Sequence, residues 1–202
     1  MNIRTYLKRT CVVLFSLLLI TFSNFSPAPA EEGQPKFSKS SNETYKSQEI
    51  IDKGHAFFGK TTTGLSEIVE YAFSKWGEPN AYIIGEEAGG AYVAGLRYGE
   101  GTLYTKTGVK QKVFWQGPSV GLDFGADGSR SITLIYKLRN PEDIFRRYGG
   151  IDGSAYIVGG FALNVHERDK TILVPIRTGV GLRLGVNVGY LKYTRKKTWN
   201  PF

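Results

Sequence analysis

From Ala81 onward the chain is a succession of short β-branched and aromatic runs punctuated by glycine, among them "AYIIG", "KVFWQG", "SRSITLIYKL" and "KTILVPIR". No strand–helix–strand alternation appears, which argues against a doubly wound parallel sheet. The run "VGLRLGVNVGYLKYT" constrains the fold most. Val180, Leu182, Leu184, Val186, Val188 and Tyr190 alternate with Gly181, Arg183, Gly185, Asn187 and Gly189. One face is therefore aliphatic and the other nearly bare, the pattern of a strongly curved sheet in which glycine relieves crowding on the concave side. The runs predict a mainly β protein: a small, mostly antiparallel closed barrel of about eight strands with N-terminal helices.

Helices are expected at three places. Residues 48–58 follow Ser47, a potential cap, and "LSEIVEYAFSKWG" predicts a helix over 64–76. In the latter Leu65, Ile68, Val69, Ala72 and Trp76 form one apolar stripe, with Gly77 and Pro79 beyond it. "PEDIFRRYGG" predicts a short helix over 141–148, opened by Pro141 and ended by glycines. "ADGS" at 126–129 and "HERDK" at 166–170 read as hairpin loops.

The first thirty residues have a different character. Arg4, Lys8 and Arg9 precede the apolar "CVVLFSLLLI", and "APA" follows at 28–30. This is the layout of a cleavable secretory signal, with cleavage after about Ala30 and delivery to the periplasm. Residues 31–47 are polar and aperiodic and read as a flexible leader, leaving 48–202 as a single barrel domain. Loss of the signal removes Cys11, the sole cysteine, so neither a disulfide nor a thiolate metal site is expected. It also removes three of the 26 basic residues, leaving 23 against 18 acidic ones, a net charge near +5. The exported chain is not expected to span a membrane. An outer-membrane barrel fits poorly, because stepping back from Phe202 gives Asn200, Thr198 and Lys196, and Pro201 interrupts the strand. No basic cluster with interleaved aromatics points to nucleic acid.

Three motifs suggest catalysis and fail on context. "GHAFFGKT" at 54–61 matches a phosphate-loop pattern, but a helical pattern precedes it where a strand should stand, and Phe57 and Phe58 occupy the anion cradle. No nucleotide is expected. "GPSVG" at 117–121 places Ser119 in a nucleophile pattern, with Asp143 or Asp152 and then His166 in hydrolase order. The following "VGLDFG" continues as a strand, whereas a nucleophile elbow leads into a helix, and His166 falls in a polar turn where exposure is expected. A serine hydrolase remains a remote alternative. "DFG" at 123–125 has no companion kinase motifs. His55 and His166 lack partners at ligand spacing, so no metal and no cofactor are expected. Glu86 and Glu87 are adjacent and point to opposite faces of a strand, unlike a paired acid and base.

One polar group stands out. Asp123, between Leu122 and Phe124, needs a partner if it faces inward, and Arg183 or Arg177 could supply one. Two readings remain open: a structural ion pair or rim charge, or a polar patch lining a ligand cleft with Trp115 and Tyr98.

The blocks "IIGEEAGGAYVAGLRYGEGTLYTK", "WQGPSVGLDFGADGSR", "GSAYIVGGFALNV", "PIRTGVGLRLGVNVGYLKYT" and the terminal "WNPF" resemble the EipA-type envelope integrity family of alphaproteobacteria, over about 48–202. The resemblance implies a soluble periplasmic eight-stranded barrel needed for resistance to envelope stress, with distant kinship to the SYLF lipid-binding domain. It carries no catalytic residues across. The expected function is thus non-enzymatic support of the cell envelope by binding one of its components: lipid, lipopolysaccharide, peptidoglycan or an assembly protein. The alternative is a lipid- or amphiphile-binding module.

Overall fold

A computed structural model of the chain describes residues 44–59, 64–123, 128–151, 154–178 and 189–202. Among the described residues two helices, α1 (Ser47–Phe58) and α2 (Gly64–Trp76), precede nine strands. The first strand, β1 (Ala81–Thr105), has 25 residues, which fully extended would reach about 80 Å. It folds back on itself instead. The Lys106 amide donates to the Asn80 carbonyl at 3.1 Å, and the rings of Tyr82 and Tyr104 stack at 5.1 Å. A Cβ on Gly85 would stand 2.7 Å from the Cα of Gly101. These pairs share one antiparallel register, so β1 supplies two neighbouring limbs.

The first limb pairs with β3 (Ser129–Tyr136), residues 81–87 against 135–129. The second pairs with β2 (Lys110–Asp123), residues 91–104 against 123–110. Beyond β2 the ladder continues through β9 (Tyr190–Thr194), β4 (Arg147–Gly150), β7 (His166–Arg168) and β8 (Thr171–Thr178), and β8 pairs with β3. With the two limbs counted separately, eight antiparallel strands close the expected barrel. Two further strands, β5 (Tyr156–Val158) and β6 (Phe161–Leu163), extend from the edge of β8 that β7 leaves free.

Closure gives each strand an inner and an outer face. Ala81, Ile83, Leu103, Val113, Ile135, Leu173, Leu191 and Tyr193 belong to one buried cluster inside the barrel. Tyr82, Ile132, Leu134, Tyr136, Val174 and Ile176 belong to another, packed against Ile50, Ile51, Leu65, Ile68, Val69 and Ala72 of the helices. This double coverage explains why β3 and β8 read as continuous apolar runs: both of their faces are buried. The stripe on α2 is the surface that covers them, and each such side chain contributes about 1.5–3 kcal/mol by leaving water.

Gly54 lies within α1, where a Cβ would stand 2.6 Å from Leu65 Cδ2. "GHAFF" is therefore the last part of a helix, with the missing side chain setting how closely α2 approaches. Lys60 lies outside the described residues. The cap of α1 is Lys46, one residue before the expected Ser47, and its amide donates to the Glu49 carboxylate at 2.8 Å.

Two expectations are corrected. The helix expected over 141–148 is a single 3-10 turn, Pro141–Ile144, capped by Asn140, whose side chain accepts from the Glu142 amide at 3.0 Å. Arg147 already begins β4. Ladder hydrogen bonds to β7 and β9 outweigh local helix preference there, and Tyr148 enters the barrel. The loop expected over 166–170 shrinks to Asp169 and Lys170, with Asp169 at φ 56°. His166 is thus a strand residue rather than a loop residue. The alternation proposed for Val180–Val188 and the loop residues 126 and 127 lie outside the described residues.

Candidate functional site

Inward alternation along the first limb of β1 runs Ala81, Ile83, Gly85, Glu87. Glu86 faces solvent, with 69 % of its side chain exposed, whereas Glu87 is only 4 % exposed. A carboxylate at that depth requires partners, and three converge on it. Trp115 Nε1, from β2, donates to Oε1 at 2.8 Å. Arg177 Nε, from β8, donates to Oε2 at 2.8 Å. Arg97 Nε, from the second limb of β1, stands 3.6 Å from Oε2. Arg177 Nη1 also donates to Asn164 Oδ1 at 3.1 Å. Burial alone would push the Glu87 carboxyl up; the guanidinium charges of Arg177 and Arg97 and the hydrogen bonds from Trp115 and Arg177 outweigh it. They hold the group below the usual carboxylate range.

His166 faces the same interior and is 1 % exposed. Burial, followed by repulsion from Arg177 and Arg97, pushes its imidazole down to about 3. The ring is therefore neutral at physiological pH. Arg177 Nη2 and His166 Nδ1 have no hydrogen-bond partner among the described residues. The side chains of Arg97 and Arg177 are 12 % and 10 % exposed.

Glycine makes the arrangement possible. The indole of Trp115 lies directly over the backbone of Gly99, where any Cβ would collide with it. A Cβ on Gly85 would stand 2.7 Å from Trp115 Cη2. Gly99→Ala is expected to displace the ring from Glu87, lowering stability by about 1–3 kcal/mol and altering the tryptophan emission of the native protein. Urea unfolding followed by fluorescence checks both.

The structure brings two of the five sequence candidates together: Trp115 and Arg177 meet on Glu87. Tyr98 points the other way, its hydroxyl donating to the Trp199 carbonyl at 2.9 Å, because Arg97 and Gly99 take the inward positions beside it. Asp123 ends β2 opposite Ala91; its side chain and all of Arg183 lie outside the described residues. Arg177 pairs with Glu87, the residue that sequence reasoning passed over. The signal was available in the alternation, since Glu87 shares the parity of Ala81 and Ile83. The exposed His166 expected from the sequence is corrected to a buried one. Ser119 lies within the unbroken ladder of β2, opposite Gly95, so strand continues on both sides of it where a nucleophile elbow would turn into a helix.

The polar atoms this cluster leaves open among the described residues are the Arg177 Nη2 donor and His166 Nδ1. Glu87 is ionised with both oxygens engaged, and His166 is held far from the pH at which it would exchange protons, so neither is poised as a general acid or base.

Comparison with known proteins agrees with the barrel. A family model described as EipA, envelope integrity protein A, matches residues 43–202. A crystal structure of a beta-barrel-like, uncharacterized protein from Brucella abortus superposes with a TM-score of 0.72 at 53 % sequence identity. The match covers 79 % of this chain and 99 % of that one. A search of the curated proteins gives no match.

Proposed function

From its place in the envelope integrity protein A family, to which this chain belongs, we propose that it is a non-enzymatic periplasmic protein that supports envelope integrity by binding an acidic group of an envelope component. The N-terminal sequence supports the location: a basic start, an apolar stretch and "APA" at 28–30 are what an export signal requires. The observation that supports the binding reading is the buried Arg177 guanidinium, whose Nη2 has no hydrogen-bond partner among the described residues. A buried guanidinium with a free N–H favours a phosphate or carboxylate, which it can contact through a charge-assisted hydrogen bond.

Deletion of the gene is expected to sensitise cells to detergent and to cell-wall antibiotics, and the native protein to restore tolerance. Arg177→Lys keeps a cation near Glu87 but removes the guanidinium fork. It is expected to accumulate normally and restore tolerance poorly. A deletion strain as tolerant as its parent overturns the envelope role. Full restoration by Arg177→Lys overturns the interior as the binding site.

A further inference from the structure

After Asp169 the sequence contains no acidic residue, while Lys192, Arg195, Lys196 and Lys197 gather at its end. The segment that follows β9 is held in an unusual way. Tyr98 Oη donates to the Trp199 carbonyl at 2.9 Å, Tyr190 Oη to the Pro201 carbonyl at 3.0 Å, and Lys192 Nζ to the main-chain oxygens of Asn200 and Phe202 at 3.4 and 2.7 Å. Four consecutive main-chain oxygens are thus fixed to side chains of the barrel wall. Pro201 is buried with them and the Trp199 ring meets Tyr98 edge-on at 5.3 Å, but the two largest apolar side chains stay mainly in water. Trp199 is 70 % exposed and Phe202 72 %, the two most exposed large hydrophobic residues described.

A segment ordered through its backbone while its largest apolar groups stay in water is arranged for display. Lys197 Nζ sits 5.2 Å from the centroid of the Trp199 ring. Neither Lys196 nor Lys197 enters an ion pair among the described residues; Arg195, by contrast, is paired with Glu142. Next to the segment, Arg146, Arg147, Lys192 and Arg195 contribute to a cleft of about 300 Å³, in which Arg146 is paired with Asp143 and Asp169. Arg147 stands directly opposite Lys192 in the β4–β9 ladder, and like charges in that position are disfavoured in a sheet. Arg147 lies over the Tyr190 ring and Lys192 is turned to the Asn200 and Phe202 oxygens, so neither enters an ion pair with a carboxylate side chain among the described residues.

We propose that the segment 195–202, with the adjoining cationic cleft, docks the protein on the surface of an anionic lipid bilayer. Lipid phosphates answer the cations. The boundary between headgroups and acyl chains suits Trp199, whose ring is apolar with one polar edge, and Phe202 beside it. An anionic polymer alone would satisfy the cations and leave both aromatic side chains in water. The inference rests on the reading that the protein acts at the envelope, but it concerns a different surface from the barrel interior.

The experiment is co-sedimentation of the chain from residue 31 with vesicles of equal parts phosphatidylglycerol and phosphatidylcholine, set against phosphatidylcholine alone. The solved relative is matched over 99 % of its length by 79 % of this chain, so the barrel is expected to fold without the first thirty residues. Binding is expected to the anionic vesicles only and to weaken as salt is raised. Lys196→Ala with Lys197→Ala is expected to weaken it about tenfold or more, and Trp199→Ala with Phe202→Ala by a similar factor. All four side chains are exposed, so thermal unfolding should be unchanged. Trp199 emission, isolated by difference against Trp199→Phe, is expected to shift to the blue on binding. Variants that sediment like the native protein, or binding indifferent to phosphatidylglycerol, overturn the proposal. Vesicle binding decides this surface, and the deletion phenotype separately decides the envelope role.

Discussion

Glu87→Gln is expected to lower the unfolding free energy by about 3–5 kcal/mol, the loss typical when one partner of a buried ion pair is removed. For a domain of this size that is a fall of about 10 °C in the melting temperature. The substitution is nearly isosteric and keeps an oxygen for Trp115 Nε1, so the missing quantity is charge. Arg177 then loses the carboxylate it is paired with, and Arg97 loses one that stands 3.6 Å from it. Their mutual repulsion, formerly offset by Glu87, acts at low dielectric. Adding Arg177→Met to Glu87→Gln is expected to recover part of the loss, because it removes the cation that had been paired with Glu87. The neighbouring residue provides the control. Glu86 is exposed and lies 3.9 Å from Arg130, so Glu86→Gln should change stability by no more than about 0.5 kcal/mol. Urea unfolding with an unchanged m-value measures both. Equal effects at 86 and 87 would mean that the inner carboxylate holds nothing together.

That contrast shows how much of the molecule was legible in its sequence. Period-two alternation from Ala81 already separates Glu87 from Glu86, and the same parity puts Arg97 and Gly99 inside and Tyr98 outside. The stripe from Leu65 to Ala72 on α2 was equally plain, as was the glycine-rich character of a closing sheet. What was hidden depends on contacts distant in sequence. Nothing local shows that Glu87 meets Arg177, 90 residues away, because that pairing exists only once β8 closes onto β3. Arg147 and Tyr148 fall at the end of an expected helix and become strand because two edges wait for them, those of β9 and β7. His166 looked exposed because its sequence neighbours Glu167 and Arg168 are polar. A two-residue turn at Asp169 and Lys170 leaves it on the ladder, opposite Leu173, and so inside. Glycine spacing revealed that the sheet must curve, but not that the room at Gly85 and Gly99 belongs to Trp115.

Acid is expected to unfold this protein through His166 before its carboxylates are involved. The folded imidazole, at about 3, lies well below the roughly 6.5 of an unfolded chain. Below that unfolded value the denatured state takes up a proton that the native interior excludes. Stability is therefore fully present above about pH 6.5 and declines as pH falls toward 3. Between about pH 7 and 5 the loss should be near 2 kcal/mol. Glu87 acts in the same direction but later. Its folded value is lowered, so its contribution begins to fade only below the ordinary carboxylate value of about 4.3. The two groups thus separate on the pH axis. His166→Gln leaves a neutral side chain in the barrel and should flatten the profile between about pH 7 and 5, whatever its effect on absolute stability. The steep fall below that range should remain. The readout is the slope from urea unfolding at several pH values, which a general packing defect would not change. A His166→Gln profile as steep as that of the native protein would mean that the native imidazole carries its proton beside Arg97 and Arg177, and that the interior tolerates another cation.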